Sequence, residues 1–65
     1  MNWNIVKGNW MQFRGEVKAQ WGQLTDDQLD VIAGRRDQLA GKIRQVYGIT
    51  QEEAEAQIKH FEARS

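Results

Sequence analysis

His60 is the only histidine of this chain, and there is no cysteine. Nucleophilic catalysis pairs a Ser, Cys or Thr with a base that takes its proton. His60 falls late in the last apolar-periodic segment, beside Phe61, while Thr25 and Thr50 stand where helix caps belong. That placement favours a surface or half-buried helix histidine, so no catalytic residue is assigned and the chain reads as a non-enzyme. Asp26, Asp27 and Asp30 cluster, but the alternating oxygen ligands and the glycine of a calcium loop are missing. Zinc would need cysteines or a second histidine. No metal or cofactor site is assigned, and the aspartates read as a solvated first helical turn.

Arg35, Arg36, Lys42 and Arg44 are the other group able to do chemistry. Such cations suit phosphate or an acidic partner. The turns Gly22-Gln23-Leu24-Thr25 and Gly48-Ile49-Thr50 would add backbone N–H groups at helix starts, where anions are held. Each turn, however, runs straight into acids, Asp26-Asp27 or Glu52-Glu53, which repel phosphate. Nine Lys and Arg balance nine Asp and Glu, for a net charge of zero, whereas nucleic-acid domains carry a basic excess. The charge is also blocked: residues 1–22, 23–33, 34–48 and 49–65 carry +2, −3, +3 and −2. Alternating blocks favour electrostatic matching within a small bundle. Arg35, Arg36, Lys42 and Arg44 are assigned as the partner-binding candidates, with a nucleic-acid module as the alternative reading.

The elements that position these residues follow from periodicity. Proline is absent and no segment alternates strictly, so the chain reads as all-helical. A first helix is expected from about Asn4 to Trp21, loosened near Gly8, with Val6, Trp10, Phe13, Val17 and Trp21 as one apolar stripe. Gly22 is placed to close it in a left-handed conformation. Thr25-x-x-Gln28 is a capping box for a short second helix, with Leu24 stapling onto Leu29 and with Leu29, Ile32 and Ala33 inside. Asp26 and Asp27 suit the dipole of its first turn. A third helix spans roughly Arg35 to Tyr47, carries Leu39, Ile43 and Val46, and is closed by Gly48. Thr50-x-x-Glu53 opens a last helix with Ala54, Ile58 and Phe61 inside. Arg64-Ser65 is expected to fray.

The six glycines form two runs of spacing seven, Gly8, Gly15, Gly22 and Gly34, Gly41, Gly48. Residues between them correspond as well: Gln12, Phe13, Val17, Lys18 and Trp21 are answered by Gln38, Leu39, Ile43, Arg44 and Tyr47. After one deletion, Leu24-Thr25 is answered by Ile49-Thr50. Two copies suggest two similar helical hairpins packed together. At 100° per residue the glycine lines lie opposite the apolar stripes, where each helical glycine costs ~1 kcal/mol relative to alanine. A break that resets the helix phase, a bare strip for a partner, or deliberate helical weakness would each account for them.

With 65 residues the chain holds one domain, 1–65. Such a domain buries only about 60% of its unfolded surface and is marginally stable. The missing cysteines fit a reducing compartment, and Met1 to Lys7 contain no long apolar run, so cytoplasm is the expected location. The first helix has some of the makings of a membrane-surface helix, but its apolar face is needed for the core. No membrane association is assigned, and a monomer is expected. Trp10, Phe13, Val17, Trp21, Leu29, Ile32, Leu39, Ile43, Tyr47, Ile58 and Phe61 are the expected core.

Asn9-Trp10-Met11-Gln12, Gly15-Glu16-Val17-Lys18, Trp21-Gly22-Gln23-Leu24-Thr25-Asp26-Asp27, Gly34-Arg35-Arg36-Asp37-Gln38-Leu39, Gly41-Lys42-Ile43 and Tyr47-Gly48 together resemble the CsbD-like family of small bacterial stress proteins. The resemblance covers almost the whole chain. It implies a cytoplasmic protein of the general stress response, with no catalytic residue to carry over. It also implies a small four-helix domain of two hairpins in a SAM-domain-like arrangement.

Overall fold

The computed structural model describes residues 1–64. These form five helices and no strand: α1 Trp3–Gly8, α2 Trp10–Gln20, α3 Asp26–Ile32, α4 Arg36–Tyr47 and α5 Gln51–Arg64. The expected fraying of Ser65 lies outside the described residues. Arg64 remains helical, and its guanidinium donates to Gln20 Oε1 at 2.6 Å.

The expected first helix is two helices, which corrects the count from four to five. Asn9 leaves the helical region at φ −124°, ψ 37°. Its N–H ends α1 on the carbonyls of Ile5 and Val6, and its own carbonyl opens α2 by accepting from Gln12 and Phe13 N–H. Its side-chain amide also donates to the Ile5 carbonyl at 3.2 Å. Glycine and asparagine are poor helix formers, and asparagine competes for backbone partners, so Gly8-Asn9 is where a continuous helix is cheapest to break.

The turn chemistry is local and mostly as expected. Thr25 Oγ1 accepts from Gln28 N–H at 3.1 Å, and Gln28 Oε1 accepts from Thr25 N–H at 2.8 Å, the reciprocal capping box. Thr50 Oγ1 accepts from Glu53 N–H at 3.1 Å. Gly48 closes α4 as expected, in a left-handed conformation at φ +65°. Gly22 does not do so for α2. The α2 cap is Trp21 at φ −125°, ψ 76°, and positive φ falls instead on Ala33 (+47°) and Gly34 (+82°) between α3 and α4. The turn after α2 is held by Trp21 N–H on the Val17 carbonyl and Leu24 N–H on the Trp21 carbonyl. The Lys18 ammonium also donates to the Leu24 carbonyl, so no left-handed residue is required. Ala33, expected inside a helix, is the residue that ends α3. Arg35 is the N-cap of α4 rather than its first residue.

One contiguous cluster forms the core: Val17, Trp21, Leu24, Leu29, Ile32, Leu39, Ala40, Ile43, Ala54, Ile58 and Phe61. Trp10 and Tyr47 are half-buried against it. Phe13, expected in the core, is half-buried and lies outside the cluster, although Trp10 and Val17 of the same helix pack in or on it. The most extensive helix contact is α4 on α5, followed by α3 on α4. The Gln23 N–H donates to the Tyr47 hydroxyl at 3.1 Å, tying the α2–α3 turn to the end of α4.

Gly15 and Gly41 lie inside α2 and α4, exposed, and a Cβ at either would meet nothing within 4 Å. Their conformation is ordinary helix, so alanine fits without strain. Gly15→Ala with Gly41→Ala is therefore expected to raise stability by ~1–2 kcal/mol in total, read as a higher urea midpoint. Unchanged or lower stability would contradict the packing seen here.

Candidate functional site

Along α5, Gln51, Glu55 and Glu62 are spaced by four and seven residues, so they share one face. That face meets α4. Between the two helices lies an open groove of about 390 Å³, lined by Arg36, Asp37, Ala40, Gly41 and Arg44 from α4 and by Gln51 and Glu55 from α5. Gly41 presents bare backbone to it.

A continuous line of hydrogen bonds runs along this groove and beyond it. Arg44 Nη1 donates to Gln51 Oε1 at 3.1 Å, and Gln51 Nε2 donates to Glu55 Oε2 at 3.3 Å. Arg36 Nη1 reaches both Glu55 oxygens, at 2.8 and 3.2 Å, while its Nε donates to Glu62 Oε2 at 3.1 Å. The same Glu62 oxygen accepts from the Trp3 indole N–H at 2.6 Å. All three charged side chains are about a quarter to a third exposed. The hydrogen bond with Glu55 is the largest influence holding the Arg36 guanidinium more firmly protonated than usual.

The Trp3 indole, then Arg36, hold the Glu62 carboxyl below its ordinary value of 4.5, against the opposing effect of desolvation. A lowered folded value means Glu62 adds stability above the unfolded value, and this is lost as pH falls through the folded one. Glu62→Gln keeps an acceptor for Trp3 but no charge. The variant should be less stable than the parent at neutral pH and converge with it as pH falls through the lowered folded-state value of Glu62. Urea midpoints across that range check this, and a constant gap at every pH would refute the assignment.

The four basic candidates do not converge on one surface. Arg36 and Arg44 line the groove. Arg35 turns back to end α3, with Nη2 on the Val31 carbonyl at 2.5 Å and Nε on the Ile32 carbonyl at 3.4 Å. Lys42 is half-buried and is not among the groove residues. Two residues from Arg44, it points ~160° away around α4. The charge blocks are matched by ion pairs: Arg14 reaches Asp26 and Asp30 at 3.4 and 3.7 Å, and Arg36 reaches Glu55 and Glu62. Block one meets block two, and block three meets block four. Gln51, Glu55, Glu62 and Trp3 were not singled out from the sequence. The shared α5 face was the available signal for the first three, and no local signal links Trp3 to a residue 59 positions away.

The groove therefore offers fixed donors and acceptors whose charges largely cancel. A guanidinium stays protonated and can bind but cannot act as a base. Among the described residues no group of His, Cys, Asp and Glu is placed to hold a metal, and no helix is long and apolar enough to cross a membrane.

A family model described as CsbD-like matches residues 4–56. A UPF0337 protein of Pectobacterium atrosepticum is 55% identical over 62 residues, covering 95% of this chain and 90% of that one. A UPF0337 protein of Nitrosomonas europaea is 54% identical over 61 residues, covering 94% of this chain and 65% of that one. The UPF0337 protein YjbJ of Escherichia coli K12 is 49% identical over 65 residues, covering all of this chain and 94% of that one. The helix caps, the glycine-marked turns and the α4–α5 face all fall within or beside the matched span, and the chain belongs to the CsbD-like family.

Proposed function

We propose that the chain is a non-enzymatic bacterial stress-response protein of the cytoplasm that binds or protects other macromolecules. The observation that carries this is the groove beside Gly41, where Arg44, Gln51, Glu55 and Arg36 offer a run of donors and acceptors next to open backbone. Such a surface suits hydrogen bonding to a polypeptide of mixed charge rather than proton transfer. The same proposal keeps the two halves as pseudo-repeated hairpins in a SAM-domain-like arrangement, supported by the matching caps at Thr25 and Thr50.

The test is survival of a drying-sensitive enzyme mixed with the purified protein. Retention of activity above that given by an equal mass of serum albumin supports the proposal. No excess retention, or a turnover activity abolished by one polar substitution, overturns it. Retardation of DNA or RNA at low salt, lost on Arg35→Ala with Arg36→Ala, would favour the nucleic-acid module instead.

A further inference from the structure

α1 has six residues, too few to hold a helix without tertiary support. That support comes from three places. The Trp3 ring packs against the core cluster and its indole donates to Glu62. Val6 is 1% exposed yet lies outside the contiguous core cluster. The Lys7 backbone rests on Gly34, where a Cβ would come within 2.7 Å of Lys7 Cα. On the outer side Met1 and Ile5 are exposed.

The joint to α2 is an irregular residue rather than continuous helix, held to α1 by the Asn9 N–H on the Ile5 and Val6 carbonyls. Asn9 has already left the helical region, and Gly8 has open space where a side chain would stand. A groove of about 380 Å³ opens there, lined by Lys7, Gly8, Asn9, Trp10, Met11 and Gln12. A few residues of this kind can absorb a large change of direction. Both sides of the joint are self-sufficient. The Asn9 carbonyl accepts from the Gln12 and Phe13 amides of α2, so these two opening bonds do not come from α1. The seat under α1 also keeps its own supports: Glu62 stays paired with Arg36, and the Gly34 turn is pinned by Ala33 N–H on Leu29 and Arg35 N–H on Ile32.

We propose that α1 is a releasable strap, swinging on Gly8-Asn9 while α2 to α5 stay folded, and that its release bares the Gly34 backbone and leaves Glu62 Oε2 to Arg36 alone. This does not rest on the binding function proposed above. Local opening of such a unit is distinct from unfolding of the whole chain.

Native-state amide exchange of the full chain tests it. The Val6 amide is bonded to the Asn2 carbonyl and the Asn9 amide to the Ile5 carbonyl. Both should exchange at one common rate, at least about tenfold faster than Ile43 and Ile58 in the core helices. Trp3→Phe, which deletes the indole donor, should speed both by the same further factor of about five and raise Ile43 and Ile58, whose opening also loses that contact, by no more than that factor, so the gap to the core remains. Exchange of Val6 and Asn9 at the core rate would overturn the proposal. So would a graded rate from Val6 to Asn9 with Asn9 insensitive to Trp3→Phe, which is ordinary end fraying.

Discussion

Gly34→Ala is expected to cost ~2–4 kcal/mol, a large share of the ~3–10 kcal/mol that holds a domain of this length. Two penalties add. At φ +82° a side chain is strained whatever space surrounds it. The new Cβ would also lie 2.7 Å from Lys7 Cα and 2.9 Å from Lys7 N. Both are backbone atoms, so relief requires α1 to move bodily. Gly48 is the control: its φ is +65°, but a Cβ there meets nothing within 4 Å. Gly48→Ala should carry the conformational penalty alone, ~1 kcal/mol. Urea midpoints of the two variants separate the terms. Equal losses would mean that the Gly34–Lys7 approach contributes nothing.

Trp21→Ala is expected to cost ~3–5 kcal/mol, enough to leave much of the chain unfolded at room temperature. Trp21 is 2% exposed, and its ring centroid lies 5.3 Å from that of Phe61 at a tilt of 52°. Its indole N–H donates to Gln57 Oε1 at 2.8 Å. Trp21→Phe should retain most of the packing but leave that oxygen without its partner, at ~1–3 kcal/mol. Trp10 offers the contrast, because its buried indole nitrogen has no hydrogen-bond partner. Trp10→Phe strands no acceptor and should cost less than Trp21→Phe. The reverse order in thermal melts would show that the Trp21–Gln57 bond is not a stabilising one.

The glycine repeat shows where sequence reasoning held and where it stopped. Gly15 and Gly41 were placed on the outer helix faces by counting 100° per residue, and they are there. Of the three reasons weighed for the glycine lines, the structure bears on two, and at other glycines. At Gly8 the helix phase does reset, one residue later at Asn9. At Gly34 bare backbone is used for a close approach, but by the chain's own Lys7. The basic candidates fared similarly. Arg36 was legible as charge, while its two acidic partners came from α5.

What the sequence by itself determined is local: the all-helical character, the Thr25 and Thr50 caps, the closing Gly48, and most of the apolar stripes. Each depends on residues within a turn or two of each other, and that distance is fixed by helix geometry alone. Tertiary structure decided that Gly34 rather than Gly22 turns left-handed, that α1 folds back as a separate piece, and that Arg36 is shared between Glu55 and Glu62 beside Trp3. These contacts join residues from 19 to 59 positions apart. A side chain's type records which partner it can accept, but the direction in which the chain returns is set by packing the whole core at once.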